Sequence, residues 1–185
     1  MYMLVTAIAL AATYVLTFAI NTKKKLPWII YGVLISLGMW THYFSIIVWI
    51  SHWLWRADVI RRVVKKGQFI RSFFSKEWLQ SHILAVILFL PWLPTFYTQI
   101  STIQTYGFWI PPVTPNTLVN FMTNVIFYQD IANVSGWLAV GFLVATMLLV
   151  ILAIHTYKIL GEVERQGYRL IAFLAFAPVL VLFIL

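Results

Sequence analysis

Reactive side chains are sparse in this sequence, and most of them stand alone. The four histidines, His42, His52, His82 and His155, have separations that match no metal motif such as H-E-x-x-H. Cysteine is absent, so the chain offers no thiolate ligand, thiol nucleophile or disulfide frame. No carboxylate pair suits acid–base work, no Ser, Thr or Lys sits in a nucleophile–base arrangement, and no glycine loop would cradle a phosphate. One segment differs. Gly38-Met39-Trp40-Thr41-His42-Tyr43 interrupts a long apolar run with Thr, His and Tyr. Polar groups inside a membrane are costly and mark substrate paths. His42 there would donate to a lipid-linked phosphate, with Tyr43 beside it; a buried histidine with its hydrogen bonds satisfied is the competing reading.

The elements that position this segment follow from composition. Of 185 residues, 62% are hydrophobic and 10% charged, against roughly 45–50% and 25% in a soluble domain. Too few polar groups remain to cover a globular surface, and hydrophobicity this high excludes disorder. The expected fold class is all-α, a polytopic helical membrane protein forming a single transmembrane domain over 1–185. At about 20 residues per span, that length accommodates about six or seven membrane helices.

Charge supplies the topology. The net charge of +8 arises from thirteen Lys and Arg against five Asp and Glu. The basic residues fall into three clusters: Lys23–Lys25; Arg56, Arg61, Arg62, Lys65, Lys66, Arg71 and Lys76; and Lys158, Arg165 and Arg169. In a membrane protein such clusters mark the cytoplasmic side, so the excess charge does not point to nucleic acid. Spans are expected at 2–20, 78–97 and 137–157, with another starting at 170. The stretch 26–55 must then cross an even number of times. One tilted helix of about 45 Å would break that rule and put Lys23–Lys25 on the other side. The solution that keeps it is a hairpin of two short helices, its tip at Gly38–Tyr43 buried in protein or lining a cavity. Trp28, Trp53, Trp55 and Trp78 flank the basic clusters, as an aromatic belt would, whereas Trp40 and Trp49 suit helix–helix packing.

Two loops remain. Residues 56–77 read as a basic cytoplasmic loop; the helical spacing of Val59, Ile60, Val63 and Val64 also suits a short amphipathic helix lying on an anionic inner leaflet. Residues 98–136 read as a non-cytoplasmic loop. Pro111, Pro112 and Pro115 forbid regular helix there, and a surface helix is expected at about 116–128 after the Thr114 cap. Asp130 in that loop suits a helix cap or turn. A long, aromatic, proline-stiffened loop over a cavity is a functional signal.

Four stretches together resemble the polyprenyl-phosphate-sugar-dependent glycosyltransferases of the GT-C superfamily, in particular the bacterial family 39, protein-mannosyltransferase-like group. They are Met1-Tyr2-Met3-Leu4, Gly38-Met39-Trp40-Thr41-His42-Tyr43-Phe44, Leu90-Pro91-Trp92-Leu93-Pro94 and Gly107-Phe108-Trp109-Ile110-Pro111-Pro112. The resemblance covers roughly residues 1–130. It implies transfer of a sugar from a polyprenyl-phosphate carrier to a hydroxyl of a lipid, glycan or protein on the non-cytoplasmic side of the cell (inner or plasma) membrane. The substrate-binding residues would be His42, Tyr43, Phe108 and Trp109, the last two stacking on a sugar face or lining the lipid groove. The carboxylate base of such enzymes lies in an outer loop before the matched part, so no catalytic residue is expected in this chain, which reads as an internal piece of a larger enzyme. No metal ligand set or cofactor is expected. Membrane lipid is the other expected partner. The competing class is a non-enzymatic polytopic protein, such as a lipid-linked-sugar flippase or transporter fragment. The spans at 2–20, 78–97 and 137–157 hold no Asp, Glu, Lys or Arg, which weighs against ion-coupled transport.

Overall fold

A computed structural model describes residues 2–22, 24–106 and 136–184. Among these residues the structure is helical and contains no strand. The helices are α1 (Tyr2–Asn21), α2 (Leu26–Thr41), α3 (Ser45–Val63), α4 (Phe69–Phe73), α5 (Lys76–Phe89), α6 (Leu93–Tyr106), α7 (Gly136–Ile159) and α8 (Glu162–Ile184). Short 3-10 turns at Lys66–Gln68 and Leu90–Trp92 link α3 to α4 and α5 to α6. The stretches Met3–Asn21, Lys76–Thr105 and Gly136–Ile159 are long and apolar enough to cross a membrane, and Leu26–Thr41 is a shorter apolar helix. The chain divides into two compact units, Met1–Phe108 with Arg169–Leu185, and Trp109–Tyr168.

In the first unit α2 is the central helix and packs along both α1 and α5. Its start is set by Pro27, whose missing N–H costs nothing in a first turn. Small residues bring the helices close, as they do where lipid supplies no hydrophobic drive between helices. On α1 the buried face is Ala12, Leu16 and Ala19. On α2, a Cβ added to Gly32 would lie 2.5 Å from the Ser81 carbonyl oxygen of α5, so only glycine fits that approach.

The run 26–55 is broken. α2 ends at Thr41, His42 takes an extended conformation (φ −163°, ψ 126°), and α3 begins at Ser45. The break is held by Gly38, whose carbonyl accepts from the His42 N–H at 2.9 Å, the Thr41 hydroxyl at 2.8 Å and the Ser45 hydroxyl at 2.9 Å. A Cβ on Gly38 would meet the Ser45 Cβ at 3.2 Å. Of the two readings of this stretch, a single long helix is therefore excluded.

Three features differ from the sequence reading. Trp28, Trp55 and Trp78 are buried in the core, not arrayed as a surface belt. Trp78 meets Trp28 edge-on at 6.2 Å and Trp53 at 5.6 Å, with Tyr31 stacked on it at 6.0 Å. An indole beside a basic cluster suits an interface or a helix contact equally well, and only the neighbouring helices decide. Second, 56–77 is not all loop: α3 carries Arg56–Val63 as regular helix, in line with the helical spacing of Val59, Ile60 and Val63. Third, the stretch 98–106 is helical, because the chain continues from α5 through the Pro91 turn into α6. The expected surface helix at 116–128 lies outside the described residues.

Candidate functional site

At the turn between α2 and α3, a cleft of about 200 Å³ is lined by Trp40, Thr41, His42, Tyr43, Trp92 and Gln99. Two interruptions of helix build it. One is the break at His42–Phe44. The other is the Leu90–Trp92 3-10 turn, where Pro91 lacks the N–H that would continue the hydrogen-bond ladder.

Tyr43 joins the two interruptions. Its hydroxyl donates to Gln99 Oε1 at 2.6 Å and accepts the Trp92 indole N–H at 2.8 Å. The ring also meets Phe96 edge-on at 4.9 Å. Trp40 lies 5.2 Å from Trp92, and its indole donates to the Leu88 carbonyl at 3.2 Å. His42 Nδ1 accepts the Phe44 backbone N–H at 3.2 Å. The proton of the neutral ring then sits on Nε2, which makes that nitrogen a donor. The cleft thus combines indole walls with a floor of hydroxyl, amide and imidazole, a set that stacks on a sugar face and hydrogen-bonds hydroxyls or a phosphate.

The other histidines lie elsewhere. His155 is exposed on α7. His52 and His82 are buried at the centre of the first unit. Thr13 gives its only proton to the Ala9 carbonyl at 2.7 Å, so it accepts from His52 Nε2 at 3.0 Å. His52 Nδ1 then accepts from the Tyr31 hydroxyl at 3.1 Å. Likewise, the Trp53 indole donates to His82 Nε2 at 2.8 Å, and Nδ1–H faces the Trp78 carbonyl at 2.7 Å. Each imidazole is neutral with both nitrogens used. These residues tie α1, α2, α3 and α5 together and leave no atom for chemistry.

Arg56, below this cluster, lies 4.5 Å over the Trp78 ring and donates to the Phe73 and Ser72 carbonyls and to the Ser75 hydroxyl. Burial lowers its guanidinium to about 10, while Tyr31 and Glu77 oppose that shift. It remains charged at neutral pH and staples α3 to the start of α5.

Of the residues singled out in the sequence, His42 and Tyr43 come together in the cleft. Phe108, Trp109 and Asp130 lie outside the described residues. Sequence reasoning missed Gln99 and the pairing of Trp40 with Trp92. Gln99 falls in the stretch that reads as loop, although the apolar spacing of Phe96, Ile100 and Ile103 carries a helical signal through it. Among the described residues, no group of three His, Cys, Asp or Glu side chains could hold a metal ion. Comparison with known protein families, curated proteins and solved structures gives no match to this chain.

Proposed function

We propose that this chain is part of an integral-membrane glycosyltransferase that moves a sugar from a polyprenyl-phosphate carrier to an acceptor hydroxyl on the non-cytoplasmic side of the cell membrane. The observation that carries this reading is the meeting of His42, Tyr43, Trp92 and Gln99 in one cleft at the turn end of α2 and α3. Two of the four stretches that resemble the GT-C glycosyltransferases supply His42, Tyr43 and Trp92, although 49 residues separate Tyr43 from Trp92. The topology is multi-pass, with about six or seven crossings counting the short hairpin, and the three basic clusters on the cytoplasmic side.

In the reaction, the bond from the sugar's anomeric carbon to the carrier phosphate oxygen breaks. The acceptor hydroxyl oxygen bonds that carbon, and its proton passes to a base outside this chain. His42 Nε2–H would hydrogen-bond the departing phosphate, a charge-assisted contact of about 1.5–3 kcal/mol. Trp40 and Trp92 would flank the sugar or the first isoprene units, and Tyr43 positions the indole of Trp92. Phe108 and Trp109 belong to the same reading as further stacking residues.

The test is sugar transfer from a radiolabelled polyprenyl-phosphate sugar by the membrane enzyme that contains this chain. His42→Ala should raise the KM for the donor about tenfold or more, with His42→Gln restoring part of the loss. An unchanged rate in His42→Ala would sink the assignment. Movement of the lipid-linked sugar across the bilayer without transfer to any hydroxyl would place the chain with the flippases instead.

A further inference from the structure

A second groove lies between α3 and α8, within the first unit and well away from the His42 turn. It offers about 330 Å³ of open groove and is lined by Leu54, Asp58, Arg62, Arg169, Ala172, Phe173 and Phe176. Leu54, Asp58 and Arg62 follow one another at four-residue steps, so they share one face of α3. Arg169, Ala172, Phe173 and Phe176 share one face of α8 by the same rule. Along α3 the face passes from apolar to charged, and along α8 from charged to apolar. The two charged ends meet: Arg62 Nε lies 3.0 Å and Arg169 Nε 3.1 Å from Asp58 Oδ2, with Arg61 3.7 Å from Oδ1. The groove therefore has a cationic end and an apolar end.

Three guanidiniums around one carboxylate give the cationic end a positive excess. Burial does not hide it: the Arg61 and Arg62 side chains are 74% and 46% exposed. At the apolar end Leu54 and Phe176 are exposed as well. These arginines belong to the clusters that mark the cytoplasmic side, and basic pockets between membrane helices on that side bind anionic headgroups. The length and polarity of the groove suit an amphiphile whose anionic head sits at the interface while its chain runs toward the bilayer centre.

We propose that the α3–α8 groove binds an anionic phospholipid of the cytoplasmic leaflet, with its phosphate on Arg61 and Arg62 and an acyl chain along Leu54, Phe173 and Phe176. Arg169, held by Asp58, fixes the separation of the two helices and adds to the field. Planar guanidinium forks match phosphate geometry. The site is independent of the sugar-transfer reading, which concerns the opposite end of α3.

The full chain in detergent micelles is titrated with phosphatidylglycerol and, separately, with phosphatidylcholine, and bound lipid is read by native mass spectrometry. Phosphatidylglycerol should bind in preference. Arg62→Gln should weaken it about tenfold, the size of one lost charge-assisted contact. Arg71→Gln, on α4 and outside the groove, should leave binding unchanged. Phe176 is 65% exposed, so Phe176→Ala can be made without a packing defect. It should weaken phosphatidylglycerol binding and leave the unfolding temperature in place. Equal binding of phosphatidylcholine, or equal losses in Arg62→Gln and Arg71→Gln, would overturn the proposal. So would displacement by inorganic phosphate as effective as that by the lipid, which would make the groove a free-anion site.

Discussion

The Trp92 indole donates to the Tyr43 hydroxyl at 2.8 Å, and the same hydroxyl donates onward to Gln99 at 2.6 Å. This chain links the α2–α3 turn to the proline turn between α5 and α6, two irregular points that are remote in sequence. A membrane tolerates irregular backbone only where protein or a cavity satisfies it. Here each irregular point supplies part of the other's surroundings.

Tyr43→Phe removes both bonds at once and leaves the indole N–H and the Gln99 carbonyl without this partner. The site is partly exposed, so the stability loss should be small, about 0.5–1.5 kcal/mol. If the cleft binds the donor, the KM for the donor should rise more than kcat falls. Thermal unfolding in detergent and steady-state kinetics measure the two effects. A loss of stability with donor binding intact would show that the bond is only structural.

His52 should behave in the opposite way. It is fully buried and bridges Thr13 of α1 to Tyr31 of α2. His52→Leu leaves the buried Tyr31 hydroxyl and the half-buried Thr13 hydroxyl with one partner fewer and should cost about 1–3 kcal/mol. Tyr31→Phe should lose less in the His52→Leu background than alone, because the bond it removes is already gone. A double-mutant cycle on denaturation midpoints checks this, and additive losses would contradict the bond.

Gly32 and Gly141 form a matched pair. Alanine at 32 would push its Cβ to 2.5 Å from the Ser81 backbone oxygen, whereas alanine at 141 meets nothing within 4 Å. Gly32→Ala should separate α2 from α5 at a cost of about 1–3 kcal/mol. Gly141→Ala should be neutral or slightly stabilising. Equal behaviour of the two variants would refute the close approach.

The chain has no cysteine, so His42→Cys and Lys66→Cys can be introduced singly as unique labels. A membrane-impermeant maleimide should reach position 42 only from the non-cytoplasmic face and position 66 only from the cytoplasmic face. Reactivity of both from one side would defeat the proposed topology.

Much of the helix plan was legible in the sequence. Apolar runs of membrane length mark 2–20 and 137–157, and α1 and α7 occupy them almost residue for residue. The polar interruption at Thr41–Tyr43 announces the break, because no helix gains by placing those side chains in lipid. The site was only half legible. His42 and Tyr43 stand out as polar residues in an apolar run, but Gln99 looks like any loop glutamine until α6 extends to meet the turn. The roles of the tryptophans were least legible. Trp78 and Trp137 both sit at the edge of an apolar run, yet one is fully buried and the other 87% exposed.

What the sequence determined by itself is therefore one-dimensional: helical class, membrane character, the clustering of charge, and the place where 26–55 must break. These depend on composition and on local runs, which need no partner. What the tertiary structure decided is every pairing. Gly32 against Ser81 fixes how closely α2 and α5 approach. Tyr31 and Thr13 settle which nitrogen of His52 holds its proton. Asp58 and Arg169 meet across α3 and α8 to make a groove with one charged end. Such pairings depend on distances between residues dozens to more than a hundred positions apart, and helix packing sets those distances while periodicity along the chain does not.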